Sequence, residues 1–71
     1  KLAVLISERQ DNIKLSFRSL GTFSVNDFAR KHFEGGGHRN AAGGQTTLSF
    51  DQTLKKFLDL LPLYKKELLE D

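Results

Sequence analysis

Apolar and polar residues alternate most cleanly along 13–18. Ile13, Leu15 and Phe17 share one side, and Lys14, Ser16 and Arg18 share the other. That is the period of a half-buried strand. Before it, 1–7 is an apolar run rich in Leu, Val and Ile, without polar alternation. It predicts a strand covered on both faces. Turn formers at Asp11 and Asn12 join the two as a hairpin. Ser19, Leu20 and Gly21 lead out of the sheet. Val25, Phe28, Ala29, His32 and Phe33 then follow the i, i+3, i+4, i+7, i+8 spacing of a helix face. Ser24 is its natural N-cap, with Asp27 three residues on, and Phe23 and Phe28 are spaced for a hydrophobic staple.

A third strand is predicted over 45–50, with Thr46, Leu48 and Phe50 on one face. Asp51 is the expected cap of a second helix whose stripe is Leu54, Phe57, Leu58 and Leu61. Pro62 ends or kinks that helix. The apolar residues of 63–71 add a short final helix. The order is β-β-α-β-α with an optional C-terminal helix, a small mixed α/β (α+β) unit around a mixed sheet.

The stretch from Glu34 to Gly44 fits none of these periods. It holds five of the six glycines, with His38 and Arg39 between two glycine groups. Glycine costs backbone entropy, so such a cluster belongs where the chain takes positive φ or approaches something closely. The reading is an anion-binding loop whose backbone N–H groups point inward and whose His38 and Arg39 add donors and charge. The blander account, in which Gly35 caps the helix and the rest is surface loop, explains one or two glycines only.

Composition narrows the picture. A domain of 71 residues buries only about 60% of the surface of its unfolded chain. With no cysteine there is no disulfide framework and no thiolate chemistry, which permits a reducing, cytoplasmic setting. No apolar run reaches a membrane span. The chain begins at Lys1 and lacks methionine, which suggests a piece of a longer protein. Up to Gly44 seven basic residues face four acidic ones; beyond it four face five. The positive excess thus lies with the glycines and suits a small phosphate-bearing ligand better than a long duplex.

Three side chains are candidates to converge on phosphate oxygens: Arg18 at a strand end, and His38 and Arg39 in the loop. They meet only if the strand after the loop lies beside the second strand. His32 sits on the apolar helix face and reads as a packing residue. Two histidines six apart, without cysteine or a nearby acidic pair, do not make a metal ligand set. No nucleophile motif, P-loop or dinucleotide fingerprint is present. The residues therefore argue for holding a phosphate, not for chemistry upon it.

The run Gly35-Gly36-Gly37-His38-Arg39-Asn40-Ala41-Ala42-Gly43 resembles the GGGH signature of the DHHA1 domain, the C-terminal substrate-binding domain of DHH-family phosphoesterases. Phe17-Arg18-Ser19 with Gly21 resembles the family's arginine-bearing strand end, and 25–29 resembles the helix before the glycines. The resemblance covers 13–50 best. It implies a substrate-binding domain over 1–71 with no catalytic or metal-binding residue and no cofactor of its own. It also implies a covalently linked N-terminal DHH domain, where manganese or a similar divalent metal pair activates water. His38 would contact a substrate phosphate, Arg18 a terminal or neighbouring one with Ser19 assisting, and Arg39 and Asn40 would border the nucleotide. Gly35, Gly36 and Gly37 would let the backbone approach. The most similar subgroup is the bifunctional oligoribonuclease and 3′-phosphoadenosine-5′-phosphate phosphatase proteins, also labelled exopolyphosphatase-related. The implied partners are a short oligonucleotide or nucleotide phosphate and, as an option, a second copy. Glu34 departs from the pattern, since many members carry a further glycine there. The competing expectation is a non-catalytic RNA-binding module like the C-terminal domain of alanyl-tRNA synthetases, whose version lacks the histidine. A third is a domain that only packs on its neighbour.

Overall fold

The computed structural model describes residues 2–69; the predicted reach of the first strand to Lys1 and of the last helix to Asp71 lies outside them. Four strands form one antiparallel sheet: β1 (Leu2–Glu8), β2 (Ile13–Ser19), β3 (Gly36–His38) and β4 (Ala41–Thr46). Their spatial order is β1-β2-β4-β3. Helix α1 (Val25–His32) carries the chain from β2 to β3, and β4 returns between them. The chain ends in α2 (Phe50–Leu60), a 3₁₀ turn (Leu61–Tyr64) and α3 (Lys65–Leu69).

The alternation of β2 is realised residue by residue. Ile13, Leu15, Phe17 and Ser19 are buried while Lys14, Ser16 and Arg18 are exposed. Phe17 is fully buried, with the Phe28, Phe33 and Phe57 rings 5.5, 5.6 and 6.3 Å from its own. Those partners come from α1, its C-terminus and α2, so the helices form one layer over one sheet face. Ser24 caps α1, its side chain accepting the Asp27 N–H, and the Phe23 and Phe28 rings lie 6.1 Å apart. His32 packs as expected, 5.1 Å from the Phe28 ring, with its Nε2 2.6 Å from the Tyr64 hydroxyl.

Four expectations are corrected. First, β1 is an edge strand covered on one side only: Ala3 and Leu5 are exposed, Leu5 by 64%. Second, the glycine stretch is not an open loop. It is the hairpin β3–β4, which adds a strand to the predicted order. Third, the later strand is Ala41–Thr46 instead of 45–50, because pairing with β2 supplies the hydrogen bonds that glycine side chains cannot signal. Fourth, the cap of α2 is Ser49, not Asp51. Ser49 and Gln52 make a reciprocal capping box, which draws Phe50 into the helix. The buried face of α2 is consequently Thr53 and Phe57, whereas Leu54 and Leu58 remain exposed.

Candidate functional site

Residues directly opposite each other in an antiparallel ladder project to the same face. The register therefore sorts the sheet into rows. Phe17 pairs with Ala42, and Ala42 with Gly37, on the helix-covered face. The uncovered face carries the other rows. By register Ala3, Arg18, Ala41 and His38 form one row and Leu5, Ser16 and Gly43 part of the next, whereas a Cβ on Gly36 would face Arg30 and Asn26 of α1. Arg18 and His38 thus both pair with Ala41, from the strands on either side of it. At the usual strand spacing their Cα atoms are about 10 Å apart. Both side chains are exposed. Arg18 lines a shallow hollow with Ala3, Val4, Leu5 and Ser16. Arg18 meanwhile donates from Nη1 to the Phe17 carbonyl at 3.0 Å.

The other predicted residues separate from this pair. Ser19 is buried; its Oγ donates to the Phe23 carbonyl at 2.8 Å and accepts from Asn40 Nδ2 at 2.9 Å. Asn40 Nδ2 also reaches the Gly21 carbonyl at 3.2 Å, and its own carbonyl accepts the Ser19 N–H. These two residues fasten the hairpin turn to the segment after β2. The Arg39 carbonyl accepts the Val25 N–H at 2.7 Å, tying the turn to the start of α1. Arg39 lines a hollow with Ser24, Asp27, Lys31 and Tyr64, which His38 does not line.

The glycine backbone is also more occupied than an anion loop requires. The Gly35 N–H donates to the Ala29 carbonyl at 3.1 Å, and the Gly37 N–H to Asn26 Oδ1 at 2.9 Å. Close approach of the chain to itself explains much of the cluster. A Cβ on Gly35 would stand 1.8 Å from the Gly43 oxygen, and one on Gly44 2.8 Å from Phe33 Cβ. The left-handed residue after α1 is not a glycine but Glu34, with φ 47°.

Beside the Arg18–His38 row lies a groove of about 500 Å³. Leu5, Lys14, Ser16, Glu34, Gly36 and Gly43 are among its lining. The predicted Gly35 and Gly36 line it too. Lys14 and Ser16, which carry no motif of their own, share the exposed face of β2 with Arg18. Nothing in the sequence pointed to Asn26, whose amide oxygen reaches the hairpin only through the fold. Among the described residues, no group of three or more His, Asp or Glu side chains could hold a metal ion. The donor set does not fit a divalent pair, and no metal-dependent step is assigned to these residues. No described helix is long and apolar enough to cross a membrane.

Comparison with known proteins agrees with this architecture. The DHHA1 domain model matches residues 1–67. The crystal structure of an exopolyphosphatase-related protein from Bacteroides fragilis superposes with a TM-score of 0.89 at 37% identity, over 94% of this chain. The chain spans 20% of the length of that protein. No curated protein matches it. With a family model matching residues 1–67 of the 71, on the fold shared with that relative, the chain belongs to the DHHA1 domain family.

Proposed function

We propose that this domain holds a phosphate of a short oligonucleotide or nucleotide phosphate on its uncovered sheet face, for cleavage by a metal-bearing DHH domain linked to it. The row Arg18–Ala41–His38 carries the reading. Both residues pair with Ala41 from the strands on either side, and a guanidinium suits bidentate and an imidazole directional contact with phosphate. The surplus of basic residues in the first part of the chain supports it electrostatically. In this reading the linked domain carries the metal chemistry and this chain the phosphate-holding groups.

The test is an amide-shift titration of the 71-residue chain with the 5′-phosphorylated dinucleotide pApA, together with a turnover assay in manganese. Shifts centred on Arg18, Ala41 and His38 without hydrolysis are expected. Arg18→Gln, an exposed change that leaves the core intact, is expected to weaken binding about tenfold, the worth of one charge-assisted contact. Robust turnover by the chain alone would sink the division of labour. Preference for folded tRNA with steep salt dependence would favour an RNA-binding module instead.

A further inference from the structure

Strand β1 lies at the edge of the sheet, with β2 on one side of it. Its other side presents a row of backbone N–H and C=O groups, a template for a further strand. Edge strands are ordinarily blunted by charge, proline, a bulge or shortness. Strand β3, at the opposite edge, is three residues long. β1 carries no such device. It is seven residues long, pairs with β2 in unbroken register, and has no proline and no charge before Glu8. Leu5 projects, exposed, from its middle. On the helix side Leu2, Val4 and Ile6 pack against the core yet stay only partly buried.

A second apolar surface lies on the same flank of the domain. Lys56 of α2 donates to the His32 carbonyl and sits 4.7 Å from the centre of the Phe33 ring, so that side of α2 faces α1. Leu54 and Leu58 are two positions to either side of Lys56, about 160° away around the helix. They therefore face away from α1, which packs chiefly on β3 and β4. The far side of α2 is the β1 side, and there Leu54, Leu58 and Phe50 are exposed.

Both surfaces are self-complementary. A two-fold axis at Leu5, perpendicular to the sheet, runs a second β1 antiparallel along the free edge of the first. It sets Leu5 opposite Leu5 on one face. On the other it sets Val4 opposite Ile6 in both directions, a β-branched pair of the kind that stabilises cross-strand contacts. The paired strands are about 4.8 Å apart, so the two α2 flanks turn toward each other above the seam. The exposed ion pair Lys55–Asp59 flanks the leucines and is met by the same pair in reverse order, which makes the rim of the contact charge-complementary.

We infer that two copies of this chain associate through β1, joining their four-stranded sheets into one, with the α2 leucines packed across the seam. The contact is isologous and closes on itself, so it yields a dimer and not a fibre. It is independent of the phosphate reading, because neither Arg18 nor His38 takes part in it.

The test is the mass of the chain by light scattering over a dilution series, with hydrogen exchange on the same samples. Twice the 8.0 kDa of one chain is expected at high concentration, falling to 8.0 kDa on dilution. Alternate amides of β1 are expected to gain protection with concentration, and a mixed labelled sample to show NOEs between Val4 of one copy and Ile6 of the other. Leu5→Lys sets like charges opposite each other across the axis and is expected to weaken association about tenfold. Leu5 lies outside the core, so the monomer keeps its fold. Leu58→Gln, at an exposed helix position, is expected to weaken association by about the same factor. A monomer at every concentration would overturn the dimer and leave the edge to a strand from elsewhere. A dimer whose β1 protection does not change with concentration would overturn the strand seam. Association unchanged in a folded Leu58→Gln would remove α2 from the contact. The exchange and NOE measurements use the unaltered chain, so they decide the seam even if Leu5→Lys fails to fold.

Discussion

Replacing Glu34 by glycine is expected to stabilise the domain, although it removes a side chain and adds none. Glu34 holds φ at 47° directly after α1, where the chain turns back into β3. The following N–H, that of Gly35, reaches back to the Ala29 carbonyl and so requires this conformation. A side chain in the left-handed region costs roughly 1–2 kcal/mol through the clash of Cβ with the carbonyl. Glycine returns roughly 0.5–1 kcal/mol of that in unfolded-state entropy. The net gain is about 0.5–1 kcal/mol. For a domain of this size that raises the thermal midpoint by roughly 2–8 °C. The assay is thermal and urea denaturation of three chains: the original, Glu34→Gly and Glu34→Ala. The alanine variant removes the charge and keeps the strain. If Glu34→Ala gains as much as Glu34→Gly, the charge and not the backbone was responsible. If neither gains, the turn is not strained.

Other predictions follow from single contacts. Asn40→Ala removes two side-chain hydrogen bonds, to Ser19 and to Gly21, and is expected to cost about 1–2 kcal/mol by urea denaturation; an unchanged midpoint would mean that the turn is held elsewhere. Phe17→Ala deletes a fully buried ring and is expected to cost about 3–5 kcal/mol, a large share of the total stability of so small a domain, with loss of near-native dichroism as the readout. His32 titrates below its ordinary value of 6.5, chiefly because burial disfavours the imidazolium and secondly because Lys31 and Lys56 repel it. Its folded value being depressed, the stability it contributes is present above pH 6.5 and is lost as pH falls through the lower folded value. Urea midpoints across that window, compared with His32→Gln, are expected to show a slope that the variant lacks.

What the linear chain determined was local. The period-2 alternation of 13–18 is enough to name β2 and its buried face, because each side chain reports its own side. The cap and staple around Ser24 name the start of α1 for the same reason: the partners are three to five residues apart. His32 could be assigned to packing from helical spacing alone, and the family from the run after Glu34. The tertiary structure decided everything that depends on glycine or on distant partners. Glycine has no side chain to alternate, so β3 and the start of β4 carry no strand signal, and only pairing with β2 makes them strands. Ser49 outcompeted Asp51 because its partner Gln52 completes a reciprocal pair of hydrogen bonds. Ser19 and Asn40 carry the polar groups of a ligand site, yet the fold spends them on each other. Sheet order alone brings Arg18 and His38, twenty residues apart in sequence, onto one row. Proximity across a sheet is set by register between strands, and register is a property of the folded chain.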